Sequence, residues 1–321
     1  MHDQPRLSRR SLLTALAAAP LSASFLAACG GDEPAAAGQP LRIGYQRFGG
    51  LSLVKARNAA DPTATWALFE SGPALTEAFK AGSIDLGQTG EAPPIFAAAG
   101  KIDFKIIGTS APVPKGEAVL VKQAKGFQTF ADLKGKTVAL NKGSNVNWLL
   151  VKLLEKHQLK ITDINVKYLK PAEARPAFDG DQVDAWIIWD PYFALAEQPG
   201  VAVLEDATGL ASNREYVLAD PKALEQKTDQ IAEFLKQYRA VTDWGIANPA
   251  ERAKVIAPEL KIDLDVATRA LSRSAQPLAA LTPEIGDELQ AIADGFTALQ
   301  LIPEKIDIKS RIDNRFNSVL G

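Results

Sequence analysis

The sequence predicts an α/β protein with two lobes, each a mixed, mainly parallel sheet flanked by helices. Two runs of alternating strand and helix patterns, which start at Leu41 and Lys136, indicate this fold class. Both runs read strand–helix–strand–helix–strand, and such units form parallel sheets with right-handed crossovers. At the same step, both carry Ala-Phe followed after four residues by an aliphatic–Asp pair, within residues 78–85 and 177–184. The chain therefore repeats one architectural unit.

The elements of each run follow from apolar strands, amphipathic helices and the Gly or Pro residues that end them. The predicted strands of the first run span residues 41–45, 65–69 and 84–86, with helices at 51–57 and 73–81. Those of the second run span residues 137–140, 165–169 and 184–188, with helices at 147–157 and 172–178.

The stretch 183–192, V-D-A-W-I-I-W-D-P-Y, carries the strongest strand signal. Its middle, residues 185–189, is wholly apolar, which is typical of a parallel strand buried on both faces. Pro191 ends the strand because it cannot donate to a ladder. Trp189 and Asp190 are therefore predicted at the carboxyl end of the strand, where open α/β sheets bind ligands. A core strand with an ordinary turn is the alternative.

Two later strand patterns, 116–121 and 215–219, are predicted to cross between the lobes. The C-terminal tail is predicted to return to the first lobe as helices, one at 229–247 and another opened by Thr282 and Pro283. The predicted boundaries are a signal peptide at 1–28, a tether at 29–40, lobe 1 at 41–119 and 218–321, and lobe 2 at 120–217.

The first 28 residues have the layout of an export signal. Arg9 and Arg10 precede an apolar run that ends in small residues, as in twin-arginine signal peptides. The sequence Leu26-Ala27-Ala28-Cys29 looks like a lipobox, in which the cysteine is lipidated and becomes the mature N-terminus. Cys29 is the only cysteine, so no intramolecular disulfide can form. We expect an exported protein, lipid-anchored at the periplasmic or extracytoplasmic face of a membrane; an incidental cysteine is the alternative.

The composition argues against several classes of function. With 36 basic and 38 acidic residues, the chain has no global field that would attract nucleic acid. Histidine occurs only at positions 2 and 157, so the usual metal sites and Ser–His or Cys–His nucleophile pairs are lacking. We therefore predict a protein that is not an enzyme and holds no metal or cofactor, although a carboxylate- or lysine-based enzyme stays compatible with these counts.

Three turns that end predicted strands carry the candidate binding groups. Their residues are Gln46, Thr89, Gly90, Glu91, Gly143, Ser144 and Asn145. The last three open a helix, whose first N–H groups and partial positive charge suit an anion. Plain helix capping is the alternative for each turn. Glu91 does not suit an anion site, and it fits a helix cap, a lysine partner, or a contact to a cationic or hydroxyl part of the ligand.

The tryptophans allow two roles. Trp189 ends its strand and alternates away from Ile188, so its indole suits a wall over an aliphatic ligand. Trp186 is predicted in the core, and Trp148 fits either role.

Four motifs give the chain a family resemblance. They are Ile43-Gly44-Tyr45-Gln46, Gly87-x-Thr89-Gly90-Glu91-x-Pro93-Pro94-x-Phe96, Ala139-Leu140-Asn141-Lys142-Gly143-Ser144-Asn145-Val146 and Val183-Asp184-Ala185-Trp186-x-x-Trp189-Asp190-Pro191-Tyr192. Over essentially its whole mature length, the chain resembles the substrate-binding proteins of bacterial ABC importers for aliphatic sulfonates, in the wider group of taurine and nitrate binders. The resemblance implies a type II periplasmic-binding-protein fold that closes on an organosulfonate and docks on the permease with its ATPase. We expect a monomer that touches the membrane only through its lipid anchor.

One segment departs from the family pattern. Many relatives carry Arg-x-x-Tyr-Gly near the start of the last helices, whereas this chain has Arg273-Ser274-Ala275-Gln276-Pro277. Arg273 is still predicted to pair with the anion, but the missing tyrosine and glycine put the identity of the ligand in question.

The predicted function is capture of an aliphatic sulfonate. The predicted ligand-binding residues are Gln46, Thr89, Gly90, Glu91, Gly143, Ser144, Asn145, Trp189, Asp190 and Arg273. Without a histidine in the cleft, affinity is expected to be nearly flat between about pH 6 and 8. Nitrate, taurine or a thiamine-precursor pyrimidine are alternative ligands. Desulfinase-like enzymes also resemble these receptors, but they use a cysteine nucleophile, and Cys29 is assigned to the lipid.

Overall fold

The computed structural model of the chain describes residues 38–274 and 277–321. The predicted signal peptide 1–28 and Cys29, with most of the tether, lie outside the described residues. Within the described ranges, no helix has the length and apolar character needed to span a bilayer.

Strands and helices alternate along the chain in two successive runs. The strands are β1 (Arg42–Gln46), β2 (Thr65–Phe69), β3 (Leu86–Gly90), β4 (Lys105–Ser110), β5 (Glu117–Lys122), β6 (Thr137–Leu140), β7 (Asn165–Tyr168), β8 (Ala185–Trp189), β9 (Val201–Asp206), β10 (Glu215–Ala219) and β11 (Leu278–Ala279). The helices are α1 (Gly50–Ala56), α2 (Gly72–Lys80), α3 (Pro93–Ala99), α4 (Val146–Lys156), α5 (Pro171–Asp179), α6 (Tyr192–Ala196), α7 (Pro221–Gln226), α8 (Thr228–Ala247), α9 (Pro249–Leu260), α10 (Leu264–Ser272), α11 (Pro283–Ala298) and α12 (Asn317–Leu320).

The strands form two mixed sheets. The first has the order β11-β4-β10-β3-β1-β2, and the second has the order β7-β6-β8-β5-β9. Strands of the repeated unit pair in parallel, β1 with β2 and β3, and β6 with β7 and β8. The remaining pairs, such as β3 with β10 and β5 with β8, are antiparallel. Each predicted βαβαβ run therefore supplies the parallel part of one sheet.

The strand β8 is buried on both faces, as its apolar sequence predicts. Ala185 and Ile187 pack in one hydrophobic cluster of the second sheet, and Trp186 and Ile188 pack in another. Trp186 is 1% exposed, so the core prediction for this residue is confirmed.

Two predictions about strands are wrong. β5 lies wholly in the second sheet and β10 wholly in the first, so neither crosses between them. The chain passes between the sheets in the segments 111–116 and 207–214 instead. An apolar run shows that a strand is buried, but it does not show which sheet the strand joins. β3 also begins later than predicted and runs to Gly90, because the ladder with β10 extends it through the glycine-rich sequence.

The C-terminal helices pack on the first sheet. Phe234 and Tyr238 of α8 share a hydrophobic cluster with Tyr45 of β1 and Leu86 of β3. Ile292 and other residues of α11 join a second cluster of the same sheet. The tail therefore returns to the first lobe, as the helical periodicity predicts.

Candidate ligand-binding site

A cavity of about 60 Å³ lies where strands of both sheets reach their carboxyl ends. Predicted residues in its wall are Gln46, Thr89, Gly90, Ser144, Asn145, Trp189 and Asp190. Residues that the sequence analysis did not place there are Phe48, Gly72, Pro93, Val113, Gly116, Asn213, Glu215 and Ser274. The structure therefore brings together turns that are far apart in the sequence.

Three predicted residues, Glu91, Gly143 and Arg273, are absent from this wall as the structure describes it. Gly143 instead shapes the turn before α4. Its φ of +76° lies in the left-handed region that favours glycine, and its N–H donates to the side chain of Asn147. This glycine therefore sets the course of the backbone into α4.

The hydroxyl groups of Thr89 and Ser144 differ in their partners. Thr89 is fully buried, and its Oγ1 has no hydrogen-bond partner among the described residues. Ser144 Oγ donates to the carbonyl oxygen of Asn141 over 2.7 Å, so its proton is already in use. Because a buried hydroxyl without a partner is costly, Thr89 is the hydroxyl that a ligand would satisfy.

The helix α4 begins at the cavity wall, where Ser144 and Asn145 lie. In the described part of the chain, the backbone N–H groups of Asn145 and Val146 have no acceptor. Such N–H groups, together with the helix dipole, form an anion site. The unpaired Thr89 hydroxyl in the same cavity wall is a second, independent observation that points to a ligand.

The side chain of Asn145 joins the two lobes. Its Oδ1 accepts from Ala92 N over 3.3 Å, and its Nδ2 donates to Asn213 Oδ1 over 2.8 Å. A Cβ at Gly90 would lie 2.1 Å from this amide, so only glycine permits the approach. Close packing against the Asn145 amide therefore explains why glycine occupies position 90.

Asp190 and Arg273 form an ion pair between β8 and the end of α10. Arg273 Nε lies 2.8 Å from Asp190 Oδ2, and its Nη2 lies 3.0 Å from Oδ1. Arg273 also donates to Glu197 over 3.1 and 3.0 Å and stacks on Phe193. Burial raises the pKa of Asp190 to about 6, against the opposing effect of Arg273. The guanidinium expected to meet the ligand is thus engaged by protein carboxylates.

Glu215 is the charged residue among the cavity residues that the sequence analysis missed. It is the first residue of β10, and its Oε2 accepts from Gly50 N over 3.3 Å. No cation lies within ion-pair distance of it in the described structure. Burial raises the pKa of Glu215 to about 7. The sequence signal that could have revealed Glu215 is its charge at the first position of β10, whose other residues are apolar.

Glu91 lies behind the cavity wall. Its Oε2 accepts from Ser212 Oγ over 2.7 Å and from Arg214 N over 3.3 Å, and its Oε1 has no described partner. Burial raises the pKa of Glu91 to about 7, and the charge of Glu288 adds to the rise. Glu117 is equally buried, and burial raises its pKa as well. In these contacts, Glu91 neither caps a helix nor pairs with a lysine.

The chain matches proteins of known family over most of its length. A family model described as NMT1/THI5 like matches residues 70–252. A relative from Escherichia coli (strain K12), named as an aliphatic sulfonates-binding protein, is 36% identical and covers 94% of this chain and 96% of its own. This chain belongs to the aliphatic sulfonate-binding protein family. A relative of this family from Bacillus subtilis (strain 168) is 32% identical over 78% of the chain.

Solved structures support the family assignment. The alkanesulfonate-binding protein SsuA from Xanthomonas axonopodis pv. citri, bound to MOPS, is 33% identical with a TM-score of 0.82, over 87% of this chain and 99% of that one. The periplasmic aliphatic sulphonate binding protein SsuA from Escherichia coli is 36% identical with a TM-score of 0.78, over 86% and 92%. These matches confirm the type II periplasmic-binding-protein fold.

An enzyme shares the fold at much lower identity. The desulfurization enzyme DSZB is 12% identical with a TM-score of 0.62, over 86% of this chain and 97% of that one, which shows the fold alone. The relatives above 30% identity are named as binding proteins, and this confirms the prediction that the chain is not an enzyme.

Proposed function

We propose that the protein captures an aliphatic sulfonate in the cavity and delivers it to the permease of an ABC importer. The observation that carries this proposal is the set of uncommitted neutral donors, the Thr89 hydroxyl and the N–H groups of Asn145 and Val146. In the described structure, no lysine or arginine lines the cavity. A sulfonate spreads one charge over three oxygens, so several neutral donors match it well.

The apolar part of the cavity favours a ligand with a carbon chain. Phe48, Pro93, Val113 and Trp189 contribute to the wall. Nitrate needs little apolar surface, so this lining argues against nitrate. The names of the relatives favour a sulfonate over a pyrimidine.

The binding roles follow from these contacts. We propose that the Thr89 hydroxyl and the backbone N–H of Asn145 donate to the anion and that Trp189 covers the carbon chain. Gln46 lines the same cavity, but its Nε2 already donates to the Gln88 carbonyl oxygen over 3.1 Å. We assign Arg273 to lobe closure instead, because its donors reach Asp190 and Glu197. Ser144 and Gly143 keep a structural role at the start of α4.

The predicted two-lobe division, 41–119 with 218–321 against 120–217, sets its boundaries inside β5 and β10, although each strand lies wholly in one sheet. We therefore propose the connecting segments 111–116 and 207–214 as the lobe boundaries and as hinges, as in binding proteins that close around a ligand. Small-angle scattering should give a smaller radius of gyration with saturating ligand and a mass that matches a monomer. An unchanged radius at saturation would argue against closure.

Export and anchoring are proposed from the sequence. The twin-arginine layout of residues 1–28 and the lipobox support a lipoprotein, and the periplasmic relatives support the compartment. Mass spectrometry of the membrane-extracted protein should find an acylated Cys29, and Cys29→Ser should be released unacylated with ligand binding intact. A wild-type protein without acyl chains would contradict this.

Calorimetric titration tests the function itself. Purified protein should bind short alkanesulfonates or aminoalkanesulfonates and bind nitrate and sulfate at least tenfold more weakly. If nitrate or sulfate binds more tightly than every sulfonate, the proposed function is wrong.

A further inference from the structure

Two carboxyl groups line the cavity, and their surroundings differ. Asp190 lies 2.8 Å from the guanidinium of Arg273, so its charge is compensated within the protein. Glu215 has no ion-pair partner within 4.0 Å among the described residues. Its carboxylate group lies beside the turn that opens α1, where Gly50 N donates to it over 3.3 Å.

The carboxylate of Glu215 accepts neutral hydrogen bonds from Gly50 N and from the Gln88 side chain, which lower its pKa, and it forms no ion pair with the described residues. The positive charge of Arg252 of α9 lowers the pKa of Glu215, but its guanidinium donates to the Ser274 carbonyl oxygen over 2.9 Å and not to the carboxylate. Tyr238 of α8 donates to Gln88 Oε1 over 3.0 Å. Thr109 of β4 donates to the backbone oxygens of Glu215 and Ser110, over 3.0 and 3.4 Å, and not to the carboxylate. None of these groups neutralises the side chain by direct contact.

A carboxylate in this position is unfavourable for a simple anionic ligand. Like charges that share a water-poor cavity repel each other, and burial already raises the pKa of Glu215 to about 7. A cationic group on the ligand would pair with the Glu215 carboxylate, which offsets the cost of its burial. It would also leave the ligand with no net charge, which offsets the repulsion between the carboxylate and the sulfonate. The donors without acceptors at Thr89 and the start of α4 suit an anionic group, and the Glu215 carboxylate, which has no ion pair, suits a cationic group. Together they fit a ligand with one anionic and one cationic end.

The two ends are separated in the cavity wall. Thr89 Oγ1 faces the turn before α2, since a Cβ at Gly72 would lie 2.2 Å from it. Glu215 faces the turn before α1, since a Cβ at Gly49 would lie 2.5 Å from its Oε1. A short carbon chain would connect groups held at these two turns.

We propose that the ligand is an aminoalkanesulfonate, whose ammonium group is received by the Glu215 carboxylate while its sulfonate meets the donors at Thr89 and the start of α4. This inference rests on the proposed function and adds the class of sulfonate to it. The competing arrangement is a protonated Glu215 that donates a hydrogen bond to a plain sulfonate.

Calorimetry with ligand pairs of equal chain length tests the inference. The pairs are 3-aminopropanesulfonate against propane-1-sulfonate and 2-aminoethanesulfonate against ethanesulfonate, in Tris and imidazole buffers, which carry no sulfonate. The wild-type protein should bind the amino compounds on the order of tenfold tighter or more, as for a gained charge-assisted hydrogen bond. At pH 7, binding should release about half a proton, because a ligand cation lowers the pKa of a half-protonated carboxyl group.

The variant Glu215→Gln should lose the preference for amino compounds and bind plain alkanesulfonates unchanged or tighter. Glu304→Gln, at an exposed carboxylate, is the matched control and should keep the preference. If plain alkanesulfonates bind the wild type as tightly as their amino partners, the inference is overturned while the proposed function stands. If the Gln variant does not fold, the wild-type ligand ratio still decides. If no sulfonate binds, the proposed function fails and the inference fails with it.

Discussion

The two walls of the cavity differ in how their polar side chains are satisfied. On the first-sheet wall, the Thr89 hydroxyl has no hydrogen-bond partner among the described residues, and Glu215 has neutral hydrogen-bond donors but no ion pair. On the second-sheet wall, Ser144 donates to Asn141 and Asp190 pairs with Arg273. Since satisfied polar groups have little to offer a ligand, we assign recognition by polar side chains to the first-sheet wall, while Trp189 of the second sheet covers the carbon chain. The polar side chains of the second-sheet wall stabilise the fold, and this wall offers the ligand the backbone N–H groups at the start of α4.

The largest expected effect is on stability, from the second-sheet wall. Arg273→Gln leaves Asp190, which is 2% exposed in its side chain, without its cation. Removal of one partner of a buried pair costs about 3 kcal/mol or more of unfolding free energy. Denaturant unfolding at pH 8, where Asp190 is ionised, measures this loss.

The control for this variant is Arg269→Gln, on the same helix. Arg269 pairs with Asp265 over 3.0 Å, but its side chain is 41% exposed, so the expected loss is below about 1 kcal/mol. Equal losses in the two variants would mean that the Asp190 pair contributes no more than a surface contact.

Thr89→Val should cost affinity with little change in stability. Valine keeps the shape of threonine and removes the unpartnered hydroxyl, which we expect to donate to the sulfonate. A hydrogen bond to a charged group contributes about 1.5–3 kcal/mol, or a tenfold or larger change in dissociation constant. Titration calorimetry and thermal melting on the same sample separate affinity from stability. An unchanged affinity would remove Thr89 from the recognition wall.

Three carboxyl groups with raised pKa values should make the protein more stable in mild acid. Below about pH 4, Glu215, Glu91 and Asp190 carry a proton in the folded and unfolded states alike. Their folded pKa values are raised to about 7, 7 and 6, so the folded state binds more protons between pH 4 and those values. Stability therefore falls as the pH rises through this window, by up to about 1.4 kcal/mol per pH unit for each group.

Denaturant unfolding at pH 5, 6, 7 and 8 checks this slope, and Glu215→Gln should make it shallower. A stability that is constant from pH 5 to 7 would show that these groups titrate normally. Because the cavity residues Glu215 and Asp190 have raised pKa values, we now expect ligand affinity to change with pH between about 6 and 8, and not to be flat. The prediction of a flat affinity considered histidine alone, and burial places carboxyl groups in the same pH range.

Ser144→Ala gives the smallest effect and completes the comparison with Thr89. The lost bond to Asn141 should cost about 1 kcal/mol of stability, as for a typical cap or neutral hydrogen bond. Ligand affinity should stay within about twofold, because the hydroxyl proton is already used. A tenfold loss of affinity with unchanged melting would reverse the roles of Ser144 and Thr89.

The position of the site could be predicted from the sequence because it depends on local patterns. Apolar runs at 41–45, 84–86 and 185–189 indicate parallel strands, and parallel strands gather their carboxyl ends at one edge. The resemblance to sulfonate binders rests on the same segments. Residues chosen from these patterns lie mostly in the wall of one cavity, as the structure shows.

The roles of individual side chains could not be predicted in the same way. Ser144 and Thr89 look alike beside their glycines, and only the folded chain shows that Asn141 accepts from one of them. Arg273 lies 83 residues from Asp190 along the sequence, and no local pattern marks such a pair. In the sequence, Glu215 resembles any polar residue at the end of a strand, and only the fold shows that it lines the cavity.

A crystal structure with 3-aminopropanesulfonate tests the division of the two walls most directly. We expect sulfonate oxygens within about 3.2 Å of Thr89 Oγ1 and of the N–H groups of Asn145 or Val146, and the ammonium at a similar distance from Glu215. Arg273 should stay paired with Asp190. A sulfonate bound by Arg273 with Asp190 displaced, and with Thr89 and Glu215 out of contact, would contradict this account.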